Sequence, residues 1–444
     1  MKPSPRLPLA ILLVVACVLG ACAPAGGGSS TAAGAAPPAA KPASSGAAPP
    51  AAKPAASAAP AAGGQAAPSG GALSGPPVRI GFIAPLSGPV APYGAALKYA
   101  PALVVKEANE SGGINGSPME LVTIDSPNNP NQTVTGLRRL VNEDRAIGLL
   151  GPYYTGEMQA AVPLAKELRV PILGYTPAAT HPGLVEMNEW AFLADSSEER
   201  TVTIALDGFK RANPNVRRLV VVGDSQTAVT AVTLRDVWPK VLPERGYEIV
   251  DTITFNFGTS DFSPIATRIR ASGAEGIAIS SLSPAGPNLL QELERQGTHL
   301  PVVSSSHLQT VPPLTQIMGK TADGMVQTFF FSPEEAQKPA VKAWLDKYEA
   351  AIKAENPNAE VPVIGYACEV QTYDDAAMLM QAIKNAGVRG DTPPAEARDK
   401  VRQALMDLKG FPGVLRSKEV TASGRISWEF YPLIAEDGAW RTIP

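Results

Sequence analysis

Residues 78–444 predict an α/β module built from two Rossmann-like lobes, each a parallel sheet covered by helices. Three observations predict it. Short apolar runs alternate with amphipathic helical segments along the module, which is the pattern of parallel sheets with helices on both faces. The composition changes abruptly at residue 77, so the globular part has a defined start. The module is also too long for one comfortable sheet of this kind, so two lobes are expected.

Val78–Ala84 (VRIGFIA) is a short apolar run bounded by Pro and Gly and predicts a buried strand. Tyr93–Ser111 predicts a helix with Ala96, Tyr99, Ala100, Leu103, Val104 and Ala108 on one face. Pro101 predicts a kink within it, and Gly112-Gly113 ends it. Further strands are expected at Glu120–Ile124, Ala146–Leu150, Val170–Leu173, Leu219–Val222, Glu248–Phe255, Gly276–Ser280, Pro301–Ser304 and Met325–Phe331. Helices are expected near 132–143, 157–168, 198–211, 229–245, 262–271, 284–296, 337–355, 366–386 and 394–408. Strands around Arg425–Leu433 and Trp440–Ile443 close the chain.

The N-terminal region has a different physics. Lys2 and Arg6 precede the apolar stretch Leu7–Leu19, which has signal-peptide length and is too short for a comfortable bilayer span. Leu19-Gly20-Ala21-Cys22 resembles the bacterial lipobox, which implies a signal peptide over 1–21 and lipid attachment at Cys22. From Ala23 to Pro77 the chain is almost wholly Ala, Pro, Gly and Ser, with two Lys, no acid and no large apolar side chain before Leu73, so nothing offsets the entropy of ordering it. Residues 22–77 are thus read as a lipidated, disordered tether that would reach roughly 40 Å.

The formal net charge of −3 argues against a nucleic-acid partner, because neutralising phosphates needs a surplus of Lys and Arg. Cys17 and Cys22 lie in the targeting region, which leaves the module Cys368 alone and no internal disulfide. His181, His299 and His307 share no metal-ligand spacing, and no cofactor or metal is expected.

Several blocks of the module resemble the Leu/Ile/Val-binding proteins, the amino-acid-binding branch of type I periplasmic binding proteins. They are Val78–Gly88 with Tyr93-Gly94, Gly112–Gly116, Thr176–Thr180, Gly258–Ser263, Asp323–Met325 and Tyr373–Ala376. They keep their order and span nearly everything after residue 77. The resemblance implies two lobes joined by three hinge crossovers, with lobe one at about 78–196 and 325–417 and lobe two at about 197–324 and 418–444. It also implies a substrate-binding lipoprotein of an ABC importer that serves a membrane permease. The alternative is a ligand-sensing component of the same fold that signals through a separate receptor.

Ligands of open α/β sheets bind beyond the carboxyl ends of strands. The loops Pro85–Tyr93 (with Ser87), Gly151–Thr155 and Tyr175–Thr180 meet that condition in lobe one. Thr155 precedes Gly156-Glu157-Met158 and reads as a helix N-cap. By resemblance its hydroxyl also donates to a ligand carboxylate, held as well by Ala178 and Thr180. Tyr93 matches an aromatic wall position, or equally the first turn of a packed helix. One of Tyr153 and Tyr154 faces the cleft, and the sequence leaves open which. Lobe two departs from the family at Ser225–Ala228 (with Thr227) and Ser281–Pro284 (with Leu282), where an aromatic is usual. Ser304–Leu308 holds His307 where amino-acid binders place an acid for the ligand ammonium.

Enzyme readings find no support. Gly319-Lys320-Thr321 lacks the upstream Gly of a phosphate-binding loop, since position 314 is Leu. The chain has no His-Glu-x-x-His, Cys-x-x-Cys or Gly-x-Ser-x-Gly. Asp374-Asp375 reads as a structural or solvated pair, because adjacent helical positions point about 100° apart. The expected function is capture of a small amino acid, or a related acid or amide, without catalysis.

Overall fold

The computed structural model describes residues 73–88, 90–175, 185–305, 308, 314–355, 357 and 367–444. The predicted signal peptide, Cys22 and the tether up to residue 72 lie outside them. The first passage of chain comprises β1 (Val78–Ala84), α1 (Ala91–Leu97), α2 (Tyr99–Glu110), β2 (Met119–Asp125), α3 (Pro130–Asn142), β3 (Leu149–Leu150), α4 (Thr155–Leu168), β4 (Ile172–Gly174) and β5 (Ala191–Ala194). The second comprises α5 (Glu198–Ala212), β6 (Arg218–Asp224), α6 (Ala228–Val232), α7 (Trp238–Glu244), β7 (Glu248–Phe255), α8 (Ser263–Ala271), β8 (Gly276–Ser280), α9 (Ala285–Arg295), β9 (Val302–Ser304), α10 (Leu314–Met318) and β10 (Val326–Phe329). The third adds α11 (Pro339–Glu355), α12 (Ala367–Asn385), α13 (Pro394–Met406), β11 (Phe411–Pro412), β12 (Ser417–Lys418) and β13 (Arg425–Ile426). The chain ends on β14 (Tyr431–Glu436) and β15 (Ala439–Thr442).

The strands form two main sheets, ordered β13-β5-β4-β3-β1-β2 and β15-β14-β10-β9-β8-β6-β7. Every pairing in the first is parallel. In the second, only the pairings of β14 with its neighbours are antiparallel. Helices cover both faces, so β1 and β8 bury nearly every residue and read as continuous apolar runs. Local signals place the helices. Asn129 caps α3 by accepting from the N–H groups of Asn131 (3.0 Å) and Gln132 (3.2 Å), with Pro130 opening the first turn. The α3 face carrying Leu137, Leu140 and Val141 is buried.

The helix expected over 93–111 is two helices, broken at Lys98. Pro101 has no N–H for the Leu97 carbonyl and its ring crowds that oxygen, so the break falls one turn before it. Between α6 and α7, Thr233–Val237 forms a π-helical turn within the single helix expected there. The short strand β5 lay outside the sequence reading.

The chain passes between the sheets at residues 195–197, 330–338 and 427–430. Two side chains bind these crossovers together. Arg200, in the first turn of α5, donates to the carbonyls of Trp428 (3.2 Å) and Asp195 (3.5 Å) and lies 5.3 Å from the Phe430 ring centroid. Buried Glu335 accepts from Tyr431 (3.0 Å) and pairs with Arg416. Pairing corrects two expected boundaries. Val326–Phe329 belongs to the second sheet beside β9 and β14, not to lobe one. Arg425–Ile426 belongs to the first beside β5, not to lobe two. The strand expected over 425–433 is therefore two strands split by a crossover. Both edges are set by which sheet has an open neighbour, a tertiary fact that apolar pattern does not carry.

Candidate functional site

In each sheet the order reverses beside the lobe's first strand, as β2-β1-β3-β4-β5 and as β7-β6-β8-β9-β10. Connections leave β1 and β3 toward opposite faces, and likewise β6 and β8, which opens a crevice at the strand ends. The loops at these strand ends are 85–88 and Gly151–Tyr154 in one lobe, Ser225–Thr227 and Ser281–Pro284 in the other. The helices that begin there, α4 in one lobe and α6 in the other, approach each other with Cα atoms within 8 Å. The two crevices are read as one cleft because the helices that begin beside them approach each other.

Glycine is required at each switch point. A Cβ on Gly151, whose φ is +76°, would meet the Ile83 carbonyl oxygen at 2.3 Å. A Cβ on Gly223 would meet the Ser280 carbonyl oxygen at 2.0 Å.

In lobe one, Ser87 is exposed on the loop after β1, and its N–H and that of Leu86 donate to Asp125 Oδ1 at 3.1 and 2.8 Å. Asp125 therefore fixes the loop from below. Tyr154, not Thr155, occupies the N-cap position of α4; Thr155 is the first helical residue and is buried, 4% exposed. The ligand contact expected of its hydroxyl would fall beside helical N–H groups that have no intrahelical partner. Glu157 follows in the same turn, wholly buried, accepting from Ser126 and from Thr133 (2.9 Å). Burial pushes its carboxyl upward, opposed by those hydrogen bonds.

Tyr153 and Tyr154 part company. Tyr153 packs inward, its ring 6.2 Å from Phe82, toward α12. That removes it from the cleft wall for which it was a candidate. Tyr154 stays half-buried, 5.4 Å from the Tyr93 ring. Tyr93 donates to Cys368 Sγ at 3.5 Å. Burial pushes all three phenols upward, so they remain neutral donors.

In lobe two, Asp224 ends β6 fully buried. It accepts from the N–H of Gln226 (2.8 Å), the N–H and hydroxyl of Thr227, and Thr230 Oγ1 (3.3 Å). The Thr227 hydroxyl and N–H are spent on Asp224 and its carbonyl accepts from Thr230 and Ala231, which leaves its methyl for a ligand. Leu282 is 8% exposed, an apolar surface under the loop after β8. Ser304 Oγ, at the end of β9, is buried without a hydrogen-bond partner among the described residues. Ala178, Thr180 and His307 lie outside the described residues. Sequence reasoning missed Asp125 and Asp224, although an Asp closing an apolar strand run is the available signal for both.

Paired crevices at the carboxyl ends of two interleaved sheets define a two-lobed solute-binding protein. The chain belongs to the periplasmic binding protein family, whose model matches residues 77–428, and within it is a type I protein of the Leu/Ile/Val-binding kind. The Leu/Ile/Val-binding protein BraC3 of Rhizobium johnstonii is 27% identical over 358 residues, covering 79% of this chain and 87% of the relative. An amino acid binding protein of Pseudomonas aeruginosa is 27% identical over 275 residues, covering 62% and 72%. Among solved structures, the LivJ substrate binding protein of Streptococcus pneumoniae in complex with isoleucine superposes with a TM-score of 0.67 at 21% identity, covering 83% of this chain and 99% of that one. A solute binding protein of R. palustris in complex with 4-hydroxybenzoate gives 0.66 at 18% identity, covering 82% and 95%. The family is one of solute-binding proteins rather than enzymes and implies an extracytoplasmic location.

Proposed function

We propose that this protein is the lipid-tethered substrate-binding component of an ABC importer, capturing a small carboxylate-bearing solute between its lobes and delivering it to a membrane permease without converting it. One observation carries the reading: α4 and α6, each beginning after a switch-point strand of its own sheet, approach each other between the lobes. The α4 start offers N–H groups, a favourable dipole and the Thr155 hydroxyl to a carboxylate. Tyr154 offers an aromatic wall with a neutral hydroxyl, backed by Tyr93, whose own hydroxyl is held by Cys368 Sγ. A ligand held by both lobes favours the closed state by its differential affinity. Cys22, in Leu19-Gly20-Ala21-Cys22, supports attachment to a membrane, with the Ala/Pro stretch as spacer.

A thermal-shift screen of amino acids, short amides and aliphatic or aromatic acids tests capture, because a ligand of the folded state raises its melting temperature. The hit is then expected to reduce the radius of gyration in X-ray scattering. Conversion of the hit to product by the purified protein would overturn the reading. Intact mass and detergent partitioning test the tether, which Cys22→Ser abolishes.

A further inference from the structure

Away from the cleft, at the opposite end of lobe one, Arg79, Arg145 and Arg389 line a hollow of about 60 Å³. We propose that this hollow is a binding site for a phosphate group. Arg79 starts β1 and gives its Nε to Glu120 at 2.8 Å. Arg389 donates to the Asn115 carbonyl at 2.8 Å and stands 3.7 Å from Asp391. Arg145 has no hydrogen bond or ion pair among the described residues, and it holds a left-handed backbone, φ 61°. Three guanidiniums thus face two carboxylates, with most of their N–H donors unspent. A fourth, half-buried Arg398, donates among the described residues to the carbonyls of Ala146 (3.0 Å), next to Arg145, and Val141 (2.7 Å). A tetrahedral oxyanion matches both the volume and the forked donors.

The hollow lies where the folded module begins. Pro76 and Pro77 line it, and Ser74 donates to the Gly116 carbonyl at 3.4 Å. Gly390 packs so closely there that a Cβ on it would meet the Pro76 carbonyl oxygen at 1.6 Å. The segment that precedes this point is the proposed lipid tether. A phospholipid headgroup and free phosphate share the required chemistry, and the membrane source alone rests on the tether reading.

The test titrates inorganic phosphate into the full chain by calorimetry, with Arg145→Gly and Arg389→Gln beside the wild type. Arg145→Gly suits the left-handed backbone, so it keeps the fold while removing the free guanidinium. Binding weakened at least about tenfold by Arg145→Gly is expected, with the affinity of the cleft for its solute unchanged. Flotation of the Cys22→Ser chain with phosphatidylglycerol vesicles, reversed by competing phosphate, assigns the site to a headgroup. Phosphate binding without flotation assigns it to the free ion. No phosphate binding, or binding that Arg145→Gly leaves intact, overturns the site whatever the cleft does.

Discussion

Lys418 places its ammonium 3.7 Å from Asp374 Oδ2, with the two side chains 2% and 1% exposed. The ammonium also lies 3.4 Å from Gln371 Oε1 and 4.3 Å from the Trp428 ring centroid. Gln371 donates to Asp375 Oδ1 at 2.5 Å, and the Val414 N–H donates to Asp374 Oδ1 at 2.9 Å. The cluster pins α12 to the β11–β12 hairpin beside the third crossover. Sequence reading left Asp374-Asp375 as a structural or solvated pair; burial of both makes it structural.

Burial pushes the Asp374 carboxyl from 3.8 up to about 6, against the attraction of Lys418, and pushes Asp375 up as well. The folded protein therefore keeps a proton in this window that the unfolded chain releases. The contribution is complete below the unfolded value and is lost as pH rises through about 6. Urea unfolding of the wild type is expected to lose on the order of 1–3 kcal/mol from this group between about pH 4 and pH 7. Asp374→Asn should flatten that loss; an unchanged pH slope counts against the assignment. Lys418→Met leaves the buried carboxyls without their cation and should cost about 3–5 kcal/mol at neutral pH.

Arg200 joins the first crossover to the third through the carbonyls of Asp195 and Trp428. Arg200→Met keeps the stem and removes the charged donors to the Asp195 and Trp428 carbonyls. A loss of about 1–3 kcal/mol in denaturant unfolding is expected. Because the lost bonds join crossovers, the ligand-free radius of gyration should also change. A stability loss with unchanged scattering would confine Arg200 to α5.

The two neighbouring tyrosines should separate by assay. Tyr153 fills core space against Phe82, so Tyr153→Ala should cost about 3–5 kcal/mol of stability. Tyr154 is half-buried beside Tyr93 at the cleft, so Tyr154→Ala should mainly weaken binding of the screened ligand. Calorimetry on both variants decides it, and equal effects of the two on binding would refute the division.

Periodicity read most helices correctly to within two or three residues because an amphipathic face repeats along the chain itself. The interleaving of the lobes came from resemblance, since β10 and β13 are short and take their sheet from distant partners. Ala191–Ala194 escaped notice because four small or apolar residues fit a strand, a loop or a helix alike. The loops after β1 and β3 were legible through glycines and helix starts. Which tyrosine turns inward was not, because the turn after Gly151 sets that direction. Lys418 reads as a surface residue in sequence; only the partners supplied by α12 make its burial tolerable.

The most exposed prediction concerns the ligand: a carboxylic acid should bind more tightly than the matching α-amino acid. A zwitterion enclosed between lobes needs a partner for each charge, because an unpaired buried charge is costly. On the proposed reading, the α4 start and Thr155 of lobe one take the carboxylate. Lobe two would have to supply an acid for the ammonium, and neither Ser225–Ala228 nor Ser281–Pro284 nor the sequence over 305–313 contains one. Asp224, just before the first of these loops, ends β6 with its carboxylate occupied by Gln226, Thr227 and Thr230. Serine hydroxyls and the apolar surface of Leu282 suit an alkyl or aromatic body carrying at most an amide or hydroxyl. A ring of Tyr93 or Tyr154 could still hold a cation by its face, worth about 0.5–2 kcal/mol, less than the cost of burying the charge unpaired. Calorimetry with leucine, 4-methylpentanoate and 4-hydroxybenzoate makes the comparison. The acids should bind and leucine should be at least about tenfold weaker, a difference of about 1.4 kcal/mol. Tighter binding of leucine than of 4-methylpentanoate would show that another group grips the ammonium and would return the protein to amino-acid specificity.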